Sequence, residues 1–108
     1  MYDEGAIITI SSDWDADALS PFVKIQSILS QDADNIPPLA TIIEWMTINP
    51  AYALHQDDTT GTIEVGKFAD LVVIDQNIFE INSDQISNTQ VLLTFLEGKE
   101  LYRHADAP

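Results

Sequence analysis

Gly61-Thr62-Ile63-Glu64-Val65-Gly66-Lys67-Phe68-Ala69-Asp70-Leu71-Val72-Val73-Ile74-Asp75 is the stretch that decides how this chain of 108 residues folds. Gly61 and Gly66 stand where a backbone needs a positive φ or a close approach, and each closes a small element. Between them Ile63 and Val65 alternate with polar neighbours, which predicts a short, half-buried extended piece. Leu71-Val72-Val73-Ile74 is unbroken, mostly β-branched and bounded by Asp70 and Asp75, and it predicts a strand buried on both faces. Lys67 reads as a turn lysine. Asp70 reads as a carboxylate that ties down backbone N–H groups at the start of the strand.

Beyond this stretch, residues 76–88 look irregular, with Ile78, Phe79 and Ile81 as apolar anchors and one helical turn expected at 83–86. Residues 89–97 predict a strand, Glu97-Gly98 a two-residue hairpin turn and residues 99–103 the return strand, followed by a frayed tail. Before the stretch, residues 56–60 form a polar turn. Asn49-Pro50 opens a short helix over 51–54, ending near His55, where an imidazole suits the C-terminal dipole. Leu39, Ile42, Ile43 and Met46 make the apolar stripe of a helix over about residues 38–47. Residues 31–38 are a polar loop. Ser20 is an N-cap and Pro21 a first helical residue, ahead of Phe22, Ile25, Ile28 and Leu29 on one side of a helix. Residues 6–10 are apolar throughout and predict a strand of the kind buried in a parallel sheet. Only one such strand precedes the helices, so the chain is expected to be cut from something longer.

Composition narrows the function. The formal net charge is −14, with eight acids against Lys24 before His55 and ten against Lys67, Lys99 and Arg103 after it. There is no basic patch, which argues against nucleic acid and anionic membranes as partners, and the charge itself serves solubility. With 45% hydrophobic residues the chain has material for a core. Absence of cysteine removes disulfides and thiolate chemistry and leaves the redox compartment open. No apolar run approaches the roughly 18 residues of a membrane helix and no signal-peptide pattern opens the sequence, so a cytoplasmic protein is expected.

The central stretch, with Gly61, a hydroxyl and an aliphatic residue after it, then Gly66-Lys67, Ala69-Asp70 and three aliphatics, resembles a signature of the amidohydrolase superfamily of metal-dependent hydrolases. In that family it lies where the catalytic barrel joins the small β-sandwich. The resemblance implies an α+β fragment whose parent is a (β/α)8 barrel with a small composite β-sandwich domain. Residues 1–55 would be the last strand and helices of the barrel, and residues 56–108 the C-terminal part of the sandwich. Gly61, Gly66, Lys67, Ala69 and Asp70 are its structural signature.

Asp13 is the main candidate for chemistry. Read from the residues alone, a carboxylate just past a buried strand is either a turn cap or a proton carrier for an attacking water. The resemblance favours the second. Ser12-Asp13-Trp14 is similar to the family's Gly-Ser-Asp-Trp-Pro at the end of the last barrel strand, whose Asp touches the metal centre and acts as general acid/base. Ser11 and Asp15 depart from the Gly and Pro usual there. Within the superfamily, this pattern looks closest to the broad amidohydrolase branch of poorly assigned specificity.

Asp13, Asp15 and Asp17 also begin a calcium-loop spacing, but Ala18 and Lys24 occupy its obligatory Gly and Glu positions and exclude it. A hydrolytic metal site needs three or more protein ligands, and His55 and His104 fit no ligand motif. The resemblance implies that the divalent metal, zinc by expectation, belongs to the parent enzyme, that Asp13 meets it only there, and that this chain alone holds none. The expected parent activity is hydrolysis of a small molecule's C–N bond of amide type, with the isolated chain inactive. A reading from a different class is a non-catalytic β-sandwich module acting by self-association. A homo-oligomer is expected in either case, through residues 6–10 or the final hairpin.

Overall fold

The computed structural model describes residues 4–12 and 19–108. Helix α1 (Pro21–Leu29) begins where Ser20 and Pro21 predict: Ser20 takes extended dihedrals at the N-cap, although its hydroxyl makes no capping bond. Ser30 closes the helix with both its backbone N–H and its hydroxyl on the Gln26 carbonyl, at 3.0 and 2.6 Å. Helices α2 (Leu39–Met46) and α3 (Ile48–Ala53) are separated by Thr47, whose φ of −126° and ψ of −84° break the helical path. Pro50 is tolerated in α3 because the first turn of a helix has no intrahelical use for its missing N–H.

Strands β1 (Leu71–Ile74), β2 (Val91–Leu96) and β3 (Lys99–Arg103) form an antiparallel sheet in that order. Leu71 pairs with Phe95 and Val73 with Leu93, and Thr94 pairs with Tyr102 across the hairpin. Glu97 and Gly98 turn the hairpin at φ 52° and 79°, both positive as a type I′ turn requires. The two aspartates that bound β1 fasten its ends to β2. Asp70 Oδ1 accepts the Glu97 N–H at 2.8 Å, and Asp75 Oδ1 accepts the Gln90 N–H at 2.9 Å. The overall class is α+β.

The core is Ile25 of α1, Ile42 of α2, and Ile78 and Ile86 from the connection between β1 and β2. Residues on both sides of position 55 therefore meet in one apolar cluster. Each such side chain contributes about 1.5–3 kcal/mol by leaving water. Residues Ser83–Asn88 form a 3₁₀ segment packed on α1, where the Ser87 N–H donates to Gln26 Oε1 at 2.7 Å. Among the described residues no helix is long and apolar enough to cross a membrane.

Four local expectations fail, each for a physical reason. Residues 6–10 form no ladder, because among the described residues no strand lies beside them. The extended segment is held instead by the Ile10 N–H on the Trp45 carbonyl (3.0 Å) and by Asn49 Nδ2 donating to the Ile8 carbonyl (2.8 Å). Strand β1 is not covered on both faces: Val72 is 57% and Val73 38% exposed, since among the described elements nothing packs over them. Ile63 and Val65 are not half-buried but stand out in solvent, because the loop turns its carbonyls inward onto Lys67. Residues 104–108 are not frayed. The His104 N–H donates to Leu92 O at 2.8 Å, and Arg103 Nη1 donates to Pro108 O at 2.7 Å.

Candidate functional site

A cleft of about 290 Å³ opens where the extended segment ends. Ile10, Ser11 and Ser12 form one wall, Ser20 and Lys24 at the start of α1 another, and Met46 reaches it from α2. The bond from Ile10 to Trp45 fixes the first wall against α2, and the Lys24 N–H on the Ser20 carbonyl (3.4 Å) closes the first turn of α1 in the second. From Ser12 the chain runs directly into Asp13. Asp13 itself, Trp14 and the Asp13/Asp15/Asp17 run lie outside the described residues.

Among the described residues no three His, Cys, Asp or Glu side chains are grouped to hold a metal ion. His55 is exposed just beyond α3 at a left-handed φ of 58°. His104 Nδ1 accepts the Asp106 N–H at 3.1 Å, with the Asp106 carboxylate 3.8 Å away. These histidines serve turns. The described residues do not fit a catalytic divalent metal.

The signature residues converge on a different place. The Lys67 ammonium, only 12% exposed as a side chain, donates to the carbonyls of Asp57 (2.6 Å) and Thr60 (3.3 Å) and to Thr62 Oγ1 (2.7 Å). It also lies 3.1 Å from Glu64 Oε2. The Thr62 hydroxyl donates to the same carboxylate. That bond, and then the bond and charge of Lys67, hold the Glu64 carboxyl below its ordinary value. The loop over residues 57–68 is thus wound around one ammonium.

Gly61 seats this loop on α3. At φ +95°, a Cβ there would lie 2.9 Å from Ala51 Cβ and 3.0 Å from Ile48 Cα. Gly66 also has positive φ, +93°, but open space around it. Ala69 offers its carbonyl to the Gly98 N–H at 3.0 Å, beside the Asp70–Glu97 bond. The loop, α3 and β1 together enclose an apolar groove of about 440 Å³. The sequence singles out Gly61, Gly66, Lys67, Ala69 and Asp70, but neither the groove nor the interior position of Lys67 is legible in it, and Asp57 and Thr60, whose carbonyls Lys67 binds, carry no signal beyond a polar turn. A lysine five residues from the hydroxyl it binds carries no periodic signal.

The match to known proteins defines the family. Residues 1–102 match the profile of the Amidohydrolase family, and the chain belongs to that family. It is 32% identical, over 95% of its length, to a probable imidazolonepropionase from Homo sapiens. Identity to an N-substituted formamide deformylase from Arthrobacter pascens is 27% over 91% of the chain. The crystal structure of an amidohydrolase from Thermotoga maritima matches 95% of the chain with a TM-score of 0.72 and 25% identity. The chain spans about a quarter of the length of these proteins: 24%, 20% and 24% respectively.

Proposed function

We propose that this chain furnishes the end of a catalytic (β/α)8 barrel and the adjoining small sheet of an amidohydrolase that hydrolyses a non-peptide C–N bond of a small molecule. Asp13 is its general acid/base. In such a reaction water oxygen bonds to the carbonyl carbon, the C–N bond breaks and the leaving nitrogen takes up a proton. A carboxylate at position 13 accepts the proton lost by the attacking water and hands it to that nitrogen.

The observation that carries this reading is the cleft beside Ser11 and Ser12, in a chain matching the Amidohydrolase family over residues 1–102. In α/β barrels, chemistry is placed at the carboxyl ends of the strands, and residues 11–12 follow directly on the extended segment. The similarity to an imidazolonepropionase and to an N-substituted formamide deformylase supports a C–N bond as the scissile bond. On this reading the further ligands of a divalent metal, zinc by expectation, lie outside the described residues.

The test is Asp13→Asn in a polypeptide that also carries the other family segments, assayed on N-substituted formamides and cyclic amides. The amide keeps the shape but cannot take a proton, so kcat should fall by about 10²–10⁴-fold with the fold unchanged. Near-normal kcat would reduce Asp13 to a turn cap. Turnover by the 108-residue chain alone would overturn the dependence on further segments.

A further inference from the structure

Asn49-Pro50 reads in the sequence as a helix opening, but no side chain caps α3, and the Asn49 amide is directed elsewhere. Its Nδ2 donates to the Ile8 carbonyl, 41 residues back, at 2.8 Å in a partly buried setting. Two residues beyond Ile8, the Ile10 N–H donates to the Trp45 carbonyl at 3.0 Å. In an extended chain the backbone groups of residues i and i+2 point to the same edge. Ile8 and Ile10 therefore share one edge. Trp45, in the last turn of α2, and Asn49, in the first turn of α3, occupy it. A strand laid along that edge would have to take the Ile10 N–H away from Trp45. The edge between residues 8 and 10 is thus held from within the chain, and that of Ile7, Thr9 and Ser11 is the one left for a neighbouring strand.

Two such bonds do more than one. They stand two residues apart, about 7 Å along the segment, and together they fix a direction, whereas a single bond fixes only a point. With the Ile10–Trp45 bond alone, the segment is free to pivot about Ile10. Ser12 lies as far beyond Ile10 as Ile8 lies before it, so a tilt of about 8° carries it about 1 Å out of place. A misplacement of that size can cost about 10²-fold in rate. Ser12 walls the cleft and leads directly into Asp13.

From this geometry we infer that Asn49 is a positioning residue. Acting through the Ile8 carbonyl, its amide aims the Ser11–Ser12 wall of the cleft and, with it, the carboxylate at position 13. Its effect on turnover rests on the hydrolytic reading above; its hold on the segment does not.

The test uses the polypeptide that also carries the other family segments. Asn49→Leu keeps the size and removes the donor, Asn49→Asp keeps the shape and removes the donor, and Asn49→Gln keeps the donor. In the first two, kcat per folded molecule should fall by about 10²-fold with KM little changed. The acidic limb of the kcat profile should persist, because Asp13 still titrates. Asn49→Gln should recover at least about tenfold of the loss. A merely structural asparagine would lower the melting temperature and leave kcat per folded molecule unchanged, and that result overturns the inference. Amide exchange supplies a readout without turnover: the Ile10 N–H should exchange at least about tenfold faster in Asn49→Leu than in the wild type, and equal rates overturn the inference too. Should Asn49→Leu not fold, Asn49→Asp carries both comparisons. Asp13→Asn separates the two failures. If it keeps near-normal kcat, the hydrolytic reading falls and the exchange rates alone judge the hold of Asn49. If it abolishes turnover while the donor-less Asn49 variants keep theirs, the reading stands and this inference falls.

Discussion

Gly61→Ala and Gly66→Ala make a pair in which one physical difference is isolated. Both glycines have nearly the same left-handed φ, +95° and +93°, so both alanines incur backbone strain of about 1–3 kcal/mol. At Gly66 the new methyl meets nothing within 4 Å. At Gly61 it lands 2.9 Å from Ala51 Cβ and 3.0 Å from both Ile48 Cα and Ile48 Cδ1. The Cδ1 end can rotate away, but a helix Cα and a methyl fixed to the backbone cannot. The loop must lift off α3, at a cost typical of overpacking, about 1–3 kcal/mol. Gly61→Ala should thus cost about 2–6 kcal/mol and Gly66→Ala about 1–3. With a urea m-value of about 1–3 kcal/mol per molar, the midpoints should differ by roughly 1 M. Equal midpoints would mean that Gly61 does not lie against α3, and the close-approach reasoning would fail with it.

Lys67→Met keeps the stem and removes the ammonium from two backbone carbonyls; it should cost about 1–3 kcal/mol in urea unfolding, rather than the near-zero cost of a surface lysine. A loss below about 0.5 kcal/mol would show those carbonyls to be fully hydrated instead. Because the Glu64 pKa is lowered on folding, its contribution is complete above the ordinary value of 4.5 and disappears as pH falls through the lowered one. The stability difference between wild type and Glu64→Gln should therefore shrink on acidification below that value, and parallel pH profiles would contradict it. Asp70→Ala leaves the Glu97 N–H at the hairpin to water and should cost about 0.5–1.5 kcal/mol, with Asp70→Asn recovering most of it, since the amide oxygen still accepts. Ile42→Ala, at a fully buried position, should cost about 2–5 kcal/mol by calorimetry or urea unfolding.

Features with a local cause are legible in the residues themselves. Ser20-Pro21 started α1, the stripe from Leu39 to Met46 made α2, and Glu97-Gly98 turned the hairpin, because capping, helical periodicity and the sign of φ act over a few residues. The contiguous Gly66-Lys67 and Ala69-Asp70 pairs indicated the family for the same reason: a loop that winds on itself leaves its residues adjacent in the chain. Tertiary structure decided what depends on a neighbour distant in sequence. Residues 6–10 have strand composition but no ladder among the described residues, since pairing belongs to the strand beside them and not to their own side chains. Leu71–Ile74 is apolar on both faces, yet its exposure is set by what covers it. Asp70 was legible as a tie for backbone N–H groups, but its partner is Glu97, 27 residues on, brought there by the sheet. Lys67 was legible as a turn residue. Only the folded loop shows its charge turned inward, and with it Ile63 and Val65 turned outward to the rim of the groove.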